Sequence, residues 1–191
     1  MKDNLTNLIA ITTTRKPPSR VRQLVNELSL TIPNSFKIIR GHTNLEEITK
    51  NVYLKSCSKL ILISSIHGNP ATFTGYKISS KKNEVNLEWN FEWILKNVKL
   101  NNELKTKKLK NPVKDAQINF INIFPEIKQS INDFFNFSSK KDQKQENRII
   151  WNIEYANPGF LMVPQNELSQ KISPRINISE ILLPDKTKKS E

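Results

Sequence analysis

The sequence is poor in cysteine, histidine and glycine, and each shortage excludes a class of protein. Its 191 residues include one cysteine, Cys57, together with two histidines and four glycines. One thiol cannot form an internal disulfide, and one cysteine with two histidines falls short of the usual zinc site. None of the glycines occurs in the spacing GxGxxG or GxxxxGKS/T, which the common nucleotide-binding loops require. We therefore expect no metal and no nucleotide cofactor.

Long hydrophobic runs are also absent. The longest purely aliphatic run is Leu60 to Ile63, and the amino-terminal segment lacks the apolar stretch of a signal peptide. We therefore expect a cytoplasmic protein that does not bind a membrane. Hydrophobic residues still make up 37% of the chain, which suffices for the core of one ordinary domain.

Positive charge is what the sequence has in excess. The chain holds 30 Lys and Arg against 18 Asp and Glu, a formal net charge of +12. Residues 1–40 carry seven basic and two acidic side chains, and residues 96–114 carry seven lysines and one glutamate. A concentrated basic excess favours polyanionic partners, with nucleic acid first. An acidic membrane is the second candidate, but no amphipathic anchor helix with basic flanks is evident.

Hydrophobic periodicity predicts an α/β fold in which strands alternate with helices. The strands are expected at Leu8–Thr14, Phe36–Ile39, Lys59–Ser65, Ala71–Ile78, Glu84–Leu95, Ala116–Phe124, Arg148–Glu154, Gly159–Val163 and Arg175–Leu183. The helices are expected from an N-cap at Ser19 to near Pro33, after an N-cap at Asn44, and from Pro125. In Glu84–Leu95 the large apolar residues fall at every second position, which predicts one buried face. Two lobes joined near residues 79–84 would fit this order.

The cluster Arg15, Lys16, Arg20 and Arg22 lies where the first strand leads into the first helix. Backbone N–H groups and the positive end of the helix dipole add to the side-chain charge there, so this pattern indicates a phosphate site. The alternative is solvated surface charge beside an ordinary helix cap. The lysine-rich segment 96–114 also has two interpretations: it is a basic arm that follows a nucleic-acid backbone, or it is a solvated linker.

An enzymatic function finds little support in the sequence. His67, in the turn His67-Gly68-Asn69-Pro70, could act as a general base, but no nucleophile or carboxylate is placed beside it. Cys57 lies between a predicted helix and a predicted strand, where a buried, inert thiol is the usual outcome. We expect no catalytic residues.

The segment ITTTRKPPSRVR, residues 11–22, resembles the opening signature of the Brix domain family. The resemblance continues through Ile32-Pro33-Asn34, the pair Arg40-Gly41, the strand Leu60–Ser65 with its following turn, and Ser173-Pro174-Arg175. It implies a single domain over residues 1–191, with two similar α/β halves related by a pseudo-two-fold axis and akin to an anticodon-binding domain. The halves are expected at about 1–80 and about 84–183, with a charged tail at 184–191.

The resemblance also implies a function. Relatives of this kind are ribosome biogenesis factors, and in length the chain resembles the stand-alone archaeal members, which are similar to the small-subunit processome branch. We therefore expect a non-catalytic protein that binds precursor ribosomal RNA, in the cleft between its halves, and assists its processing or folding beside other assembly proteins. The candidate RNA-binding residues are Thr13, Thr14, Arg15, Lys16, Ser19, Arg20, Arg22, Arg40, His67, Asn69 and Arg175. The alternatives are a protein-interaction scaffold of a pre-ribosomal complex and a transfer-RNA-binding module.

Overall fold

Each predicted strand and helix is present, within one or a few residues of its expected bounds. The computed structural model describes residues 6–81, 84–106, 109–135, 148–166 and 168–184. The strands in these ranges are β1 Thr6–Thr13, β2 Ser35–Lys37, β3 Cys57–Ile66, β4 Asn69–Lys81, β5 Glu84–Lys99, β6 Asp115–Ile121, β7 Arg148–Tyr155, β8 Phe160–Asn166 and β9 Arg175–Leu182. The helices are α1 Ser19–Thr31, α2 Leu45–Leu54, the short α3 Asn101–Leu104 and α4 Pro125–Phe135. The charged tail, residues 185–191, lies outside the described residues.

The strands form one continuous sheet in the order β2-β1-β3-β4-β5-β9-β8-β7-β6. β1 runs parallel to β2 and β3, and β6 runs parallel to β7, whereas the other neighbours are antiparallel. The series β1-β3-β4-β5 therefore has the same strand directions as the series β6-β7-β8-β9. β5 and β9 meet antiparallel at the centre, so a half-turn about an axis through the sheet between them exchanges the two series. The sheet therefore has the pseudo-two-fold symmetry that the resemblance implied.

The continuous sheet changes one expectation. Because β9 pairs along its length with the second half of β5, Glu92–Lys99, the two halves share a sheet and do not form separate lobes with a cleft between them. The predicted boundary at residues 80–84 falls in the β4–β5 hairpin, whereas the repeated strand directions group β5 with the first half. The boundary stays a prediction.

Helices cover both faces of the sheet. The stripe Val21, Leu24, Val25 and Leu28 is buried, as its helical spacing predicts, and packs with α4 residues such as Phe134 in the larger core. α2 contributes Ile48 and Val52 to a smaller core on the opposite face. Alternate residues of β3 divide between the two cores: Leu60 belongs to the smaller one, and Ile61 and Ile63 belong to the larger one. The strands that lie between α1 and α2 are therefore a buried middle layer.

β5 changes face halfway along its length, which the regular alternation of its apolar residues did not predict. Gly75 of β4 pairs with Phe91, but the next residue, Tyr76, pairs with Trp89, so Asn90 is an extra residue in a β-bulge. The bulge reverses the alternation. Before it, Val85 and Leu87 pack against the α2 core, and after it, Phe91 and Trp93 are fully buried in the larger core. Trp89 itself is 41% exposed, so the prediction of one continuous buried face was wrong.

Substituting Gly75 with alanine tests this packing. A Cβ at Gly75 would lie 2.5 Å from Cε1 of Phe91, whose ring is fixed by Phe73, Trp93 and Phe134. Gly75→Ala should therefore lower the free energy of unfolding by about 1–3 kcal/mol, the usual cost of overpacking a core. Urea denaturation followed by tryptophan fluorescence measures it, with Ser80→Ala on the same strand as the control. An unchanged midpoint would show that the ring has room to move.

Candidate nucleic-acid interface

A cavity of about 460 Å³ opens where β1 and β2 end and α1 begins. β1 and β2 are parallel and finish at the same edge of the sheet, so the segments that follow them meet there. We call this space the basic cavity, because Lys16, Arg22, Lys37, Arg40 and His42 line it. No Asp or Glu is among the lining residues that the structure describes. The lining of the cavity therefore carries only positive formal charge, which favours an anionic ligand.

Arg40 is fixed at the cavity by backbone carbonyls. Its Nε donates to the carbonyl oxygen of Thr43 at 3.0 Å, and a terminal nitrogen donates to that of Thr13 at 3.5 Å. Burial lowers the pKa of Arg40, and the charge of neighbouring Arg15 lowers it further. A guanidinium nevertheless stays charged at neutral pH. Two cations held this close repel each other, and an anion bound between them would relieve the repulsion.

Two more cations are positioned by neutral groups. A terminal nitrogen of Arg22 donates to the carbonyl oxygen of Pro17 at 3.1 Å, and Nζ of Lys37 donates to Oδ1 of Asn26 at 2.8 Å. Both side chains are exposed. Neutral acceptors orient these groups without cancelling their charge, so both can still pair with a phosphate.

The loop between β1 and α1 supplies further groups that favour an anion. Lys16 has a φ of +50°, a left-handed conformation that costs free energy in a residue other than glycine and that often marks functional sites. Helix α1 then begins at Ser19, and its N-cap is Pro18, which makes no side-chain capping bond. The prediction of Ser19 as the N-cap was therefore wrong, since Ser19 is already the first helical residue. The first turn of α1 also lacks an acidic residue, so the helix dipole adds to the local positive potential.

Arg20, unlike the other predicted residues, forms an ion pair within the protein. Its guanidinium binds the carboxylate of Glu103 on α3, and it donates to the carbonyl oxygen of Val98 at 2.6 Å. Burial alone would raise the pKa of Glu103, but the amide of Leu100 and the Arg20 guanidinium lower it overall. Arg20 therefore joins α1 to the end of β5 and is absent from the lining of the basic cavity.

The remaining predicted residues extend along the same edge of the sheet. β3 is parallel to β1, so the turn after it brings His67 and Asn69 to this edge, where both are exposed. Arg175 begins β9 opposite Lys99, the last residue of β5, which ends at this edge too. Thr13 is buried and lines the cavity. Thr14, next in the chain, donates its backbone N–H to the carbonyl oxygen of Ile63 at 3.0 Å.

The structure brings some of the predicted residues together at the candidate site. Of the predicted residues, Thr13, Lys16, Arg22 and Arg40 line the cavity and Arg15 lies beside Arg40. Lys37 and His42 also line the cavity, but the sequence did not predict them as site residues. The available signal was strand β2: because it runs parallel to β1, its last residue and the loop after it lie beside the end of β1. Within residues 96–114, β5 extends to Lys99 and α3 follows it, whereas Lys107 and Lys108 lie outside the described residues.

The corresponding end of the second half has a different chemistry. The pseudo-two-fold axis relates the loop before α1 to residues 122–124 before α4. Exposed apolar groups occur at Ile121, Phe124 and Tyr155, and the Phe124 and Tyr155 rings meet edge to face with centroids 6.5 Å apart. Glu126 lies in the first turn of α4. The repeated backbone therefore carries a basic site at one end of the molecule and an apolar, partly acidic surface at the other.

The structure separates the residues of a hypothetical cysteine–histidine pair. Cys57 is the first residue of the ten-residue strand β3, and His67 directly follows its last residue, which puts them roughly 30 Å apart. Burial also raises the pKa of the Cys57 thiol, which disfavours the nucleophilic thiolate. In the described part of the chain, no group of three or more His, Cys, Asp or Glu is arranged to hold a metal ion, and no helix is long and apolar enough to cross a membrane.

Comparison with known proteins identifies relatives in archaea. A probable Brix domain-containing ribosomal biogenesis protein from Sulfurisphaera tokodaii is 43% identical over 98 residues, 51% of this chain and 52% of the relative. The Aeropyrum pernix protein of the same name is 30% identical over 93 residues, 50% of its length. These matches span about half the length of each relative. The Methanococcus maripaludis protein of that name is 26% identical over 180 residues, 92% of this chain and 98% of the relative. No protein-family model matches the chain.

Two crystal structures share the fold. A probable ribosomal biogenesis protein from Aeropyrum pernix superposes with a TM-score of 0.77 at 19% identity, covering 92% of this chain and 97% of that one. An archaeal Imp4-like protein superposes with a TM-score of 0.63 at 16% identity, covering 92% and 99%. The fold is therefore that of the archaeal ribosomal biogenesis and Imp4-like proteins. With the curated relatives, it confirms the resemblance to the Brix domain family that the sequence predicted.

The ion pair of Arg20 gives a prediction about stability and pH. Both side chains are about one-third exposed, with relative areas of 34% and 33%, so solvent screens the pair. Arg20→Gln should lower the free energy of unfolding at pH 7 by about 0.5–1 kcal/mol. Because the folded pKa of Glu103 is lowered, this contribution is present above the ordinary glutamate pKa and disappears as pH falls through the lowered value.

Urea titrations of the wild type and Arg20→Gln at pH 7 and at successively lower pH measure this difference. The two proteins should converge in acid. A difference that is constant with pH, or that grows in acid, would contradict a stabilising role for the pair.

Proposed function

We propose that this protein is a ribosome biogenesis factor that binds precursor ribosomal RNA through the basic edge of its sheet. By the basic edge we mean the basic cavity together with Arg15, His67, Asn69, Lys99 and Arg175. The relatives, named ribosomal biogenesis proteins, support the cellular process. The observation that carries the choice of RNA is the basic cavity itself, with four cationic side chains and no carboxylate in its lining. Binding would help the RNA fold or be processed, with no catalytic step by the protein.

The form of the basic edge favours phosphates over an acidic protein surface. Arg22, Lys37 and Arg40 are oriented by neutral carbonyl or amide oxygens, which leaves their charges to pair with a ligand. Further cations lie along the edge as far as Arg175 in the second half. A row of cations can contact successive phosphates of a nucleic-acid backbone. The contacts would give affinity and orientation more than direct base reading.

A scaffold that binds other assembly proteins is the second candidate. The apolar surface at Ile121, Phe124 and Tyr155 favours it, because large side chains are exposed together there. This surface is at the far end of the second half, so RNA and a protein could bind at the same time. A transfer-RNA-binding module is supported only by the likeness of the fold, which is weak evidence of function. A cytoplasmic location stays a prediction.

Removing charges from the basic cavity tests the proposal. We expect labelled precursor small-subunit RNA fragments to bind more tightly than an anticodon stem-loop or duplex DNA of equal length. Lys16→Gln with Arg22→Gln should weaken this binding and reduce the salt slope of log K by about 1.4 to 1.8, since each lost phosphate contact contributes about 0.7 to 0.9. Fluorescence anisotropy at several salt concentrations measures both quantities.

Lys50→Gln with Lys55→Gln is the matched control. It also removes two charges, one in the middle of α2 and one at its C-cap, and neither residue lines the basic cavity. The control should retain the wild-type slope. Equal losses in both double variants, or equal affinity for all polyanions, would contradict a specific site at the basic cavity and leave the scaffold as the better account.

A further inference from the structure

The basic cavity has an apolar wall as well as its cations. Pro17, Val25, Ile38 and Ile39 line it beside the charged groups. Ile39 is 88% exposed, although it is a large aliphatic side chain between the end of β2 and Arg40. Phosphate oxygens would neutralise the cations but would leave this wall in contact with water. The ligand that fits the whole cavity therefore has an anionic part and a flat or apolar part.

We propose that the basic cavity receives one unpaired nucleotide of the bound RNA. Its base would pack against Ile39 and Pro17, and its phosphate would lie among Lys16, Arg22 and Arg40. This inference rests on the proposed function, because it assumes that RNA is the ligand of the basic edge. It adds that the site recognises a nucleotide outside a helix.

The size of the cavity supports one nucleotide. About 460 Å³ falls within the range of small-ligand pockets, roughly 300–1,000 Å³. A double helix cannot offer a base to such a cavity, because its bases are paired and stacked inside and its major groove is deep and narrow. A bulged or looped nucleotide can turn its base outward at a modest energetic cost. Paired RNA would therefore reach the cations but leave the apolar wall uncovered.

Polar groups in the wall would add hydrogen bonds. Thr13 and Asn26 both line the cavity. A hydroxyl and an amide can bond to the edge of a base or to the ribose 2′-hydroxyl, which distinguishes RNA from DNA. The charge of the cavity supplies most of the affinity for any RNA, and its wall supplies the preference for an unpaired nucleotide.

One variant separates the wall from the charges. Ile39→Asn removes the exposed aliphatic group and leaves every cation in place, together with Asn26, which orients Lys37. Leu54→Asn is the matched control, because Leu54 is an aliphatic residue that is 80% exposed at the end of α2, at the opposite edge of the sheet. Thermal unfolding of each variant verifies that it is folded.

The probes are two RNA hairpins that differ by one bulged nucleotide in an otherwise paired stem, with adenosine monophosphate as a competitor. We expect the wild type and Leu54→Asn to bind the bulged hairpin about five- to twentyfold more tightly than the paired one, because only the bulged nucleotide can bury its base against the apolar wall. Ile39→Asn should lose most of this preference and retain the affinity for the paired hairpin. The free nucleotide should compete weakly.

Each other outcome identifies a different error. If the wild type binds both hairpins equally, or Ile39→Asn keeps the full preference, the nucleotide inference is wrong while RNA binding by the basic edge stands. If neither hairpin binds but adenosine monophosphate does, the cavity is a small-molecule site and the proposed function fails with it. If nothing binds, the proposed function itself is wrong.

Discussion

The parallel pairing of β1 with β2 and β3 is the constraint on which the candidate site depends. Parallel strands end at one edge of a sheet, so the segments after Thr13, Lys37 and Ile66 meet although they are far apart in the sequence. The pairing is secured by burial, because Ile9, Ala10 and Ile11 are almost completely inaccessible between two helical layers. Burial of the hydrophobic core therefore stabilises the fold against the repulsion between the like charges at this edge.

The pseudo-two-fold axis relates the backbones of the two halves. The two ends of the molecule differ in chemistry where their side chains differ. Both halves have two parallel strands, a helix entered through proline and a pair of antiparallel strands. The loop before α1 carries Arg15 and Lys16, whereas the loop before α4 carries Ile123 and Phe124. These side chains make one end basic and the other apolar. β2 and the loop after it add Lys37 and Arg40 to the basic end, and the described strands of the second half have no counterpart of β2.

The sequence predicted what depends on local pattern. The stripe of α1, the Asn44 cap, whose side chain accepts from the amide of Glu47 at 2.7 Å, and the buried strand Leu60–Ser65 follow from periodicity and capping chemistry, and the structure has them all. The bulge at Asn90 could not be predicted, because it depends on how β4 and β5 pair across the sheet.

Long-range partners account for the differences between the predicted basic cluster and the residues that line the cavity. Arg20 belongs to the basic cluster in sequence, but Glu103 is 83 residues away in the chain and becomes its partner only through the fold. Lys37 and His42 look like isolated charges in the sequence and join the cavity only because β2 pairs with β1. Charge clusters in a sequence therefore locate an interface roughly, and the sheet order decides its members.

Photo-crosslinking of the protein to precursor small-subunit RNA that contains 4-thiouridine tests the central claim most directly. Crosslinked peptides, identified by mass spectrometry, should come from residues 13–26 and 37–42, which surround the basic cavity. Crosslinks confined to the peptides that carry Phe124 and Tyr155, at the other end of the molecule, would contradict this account of the site.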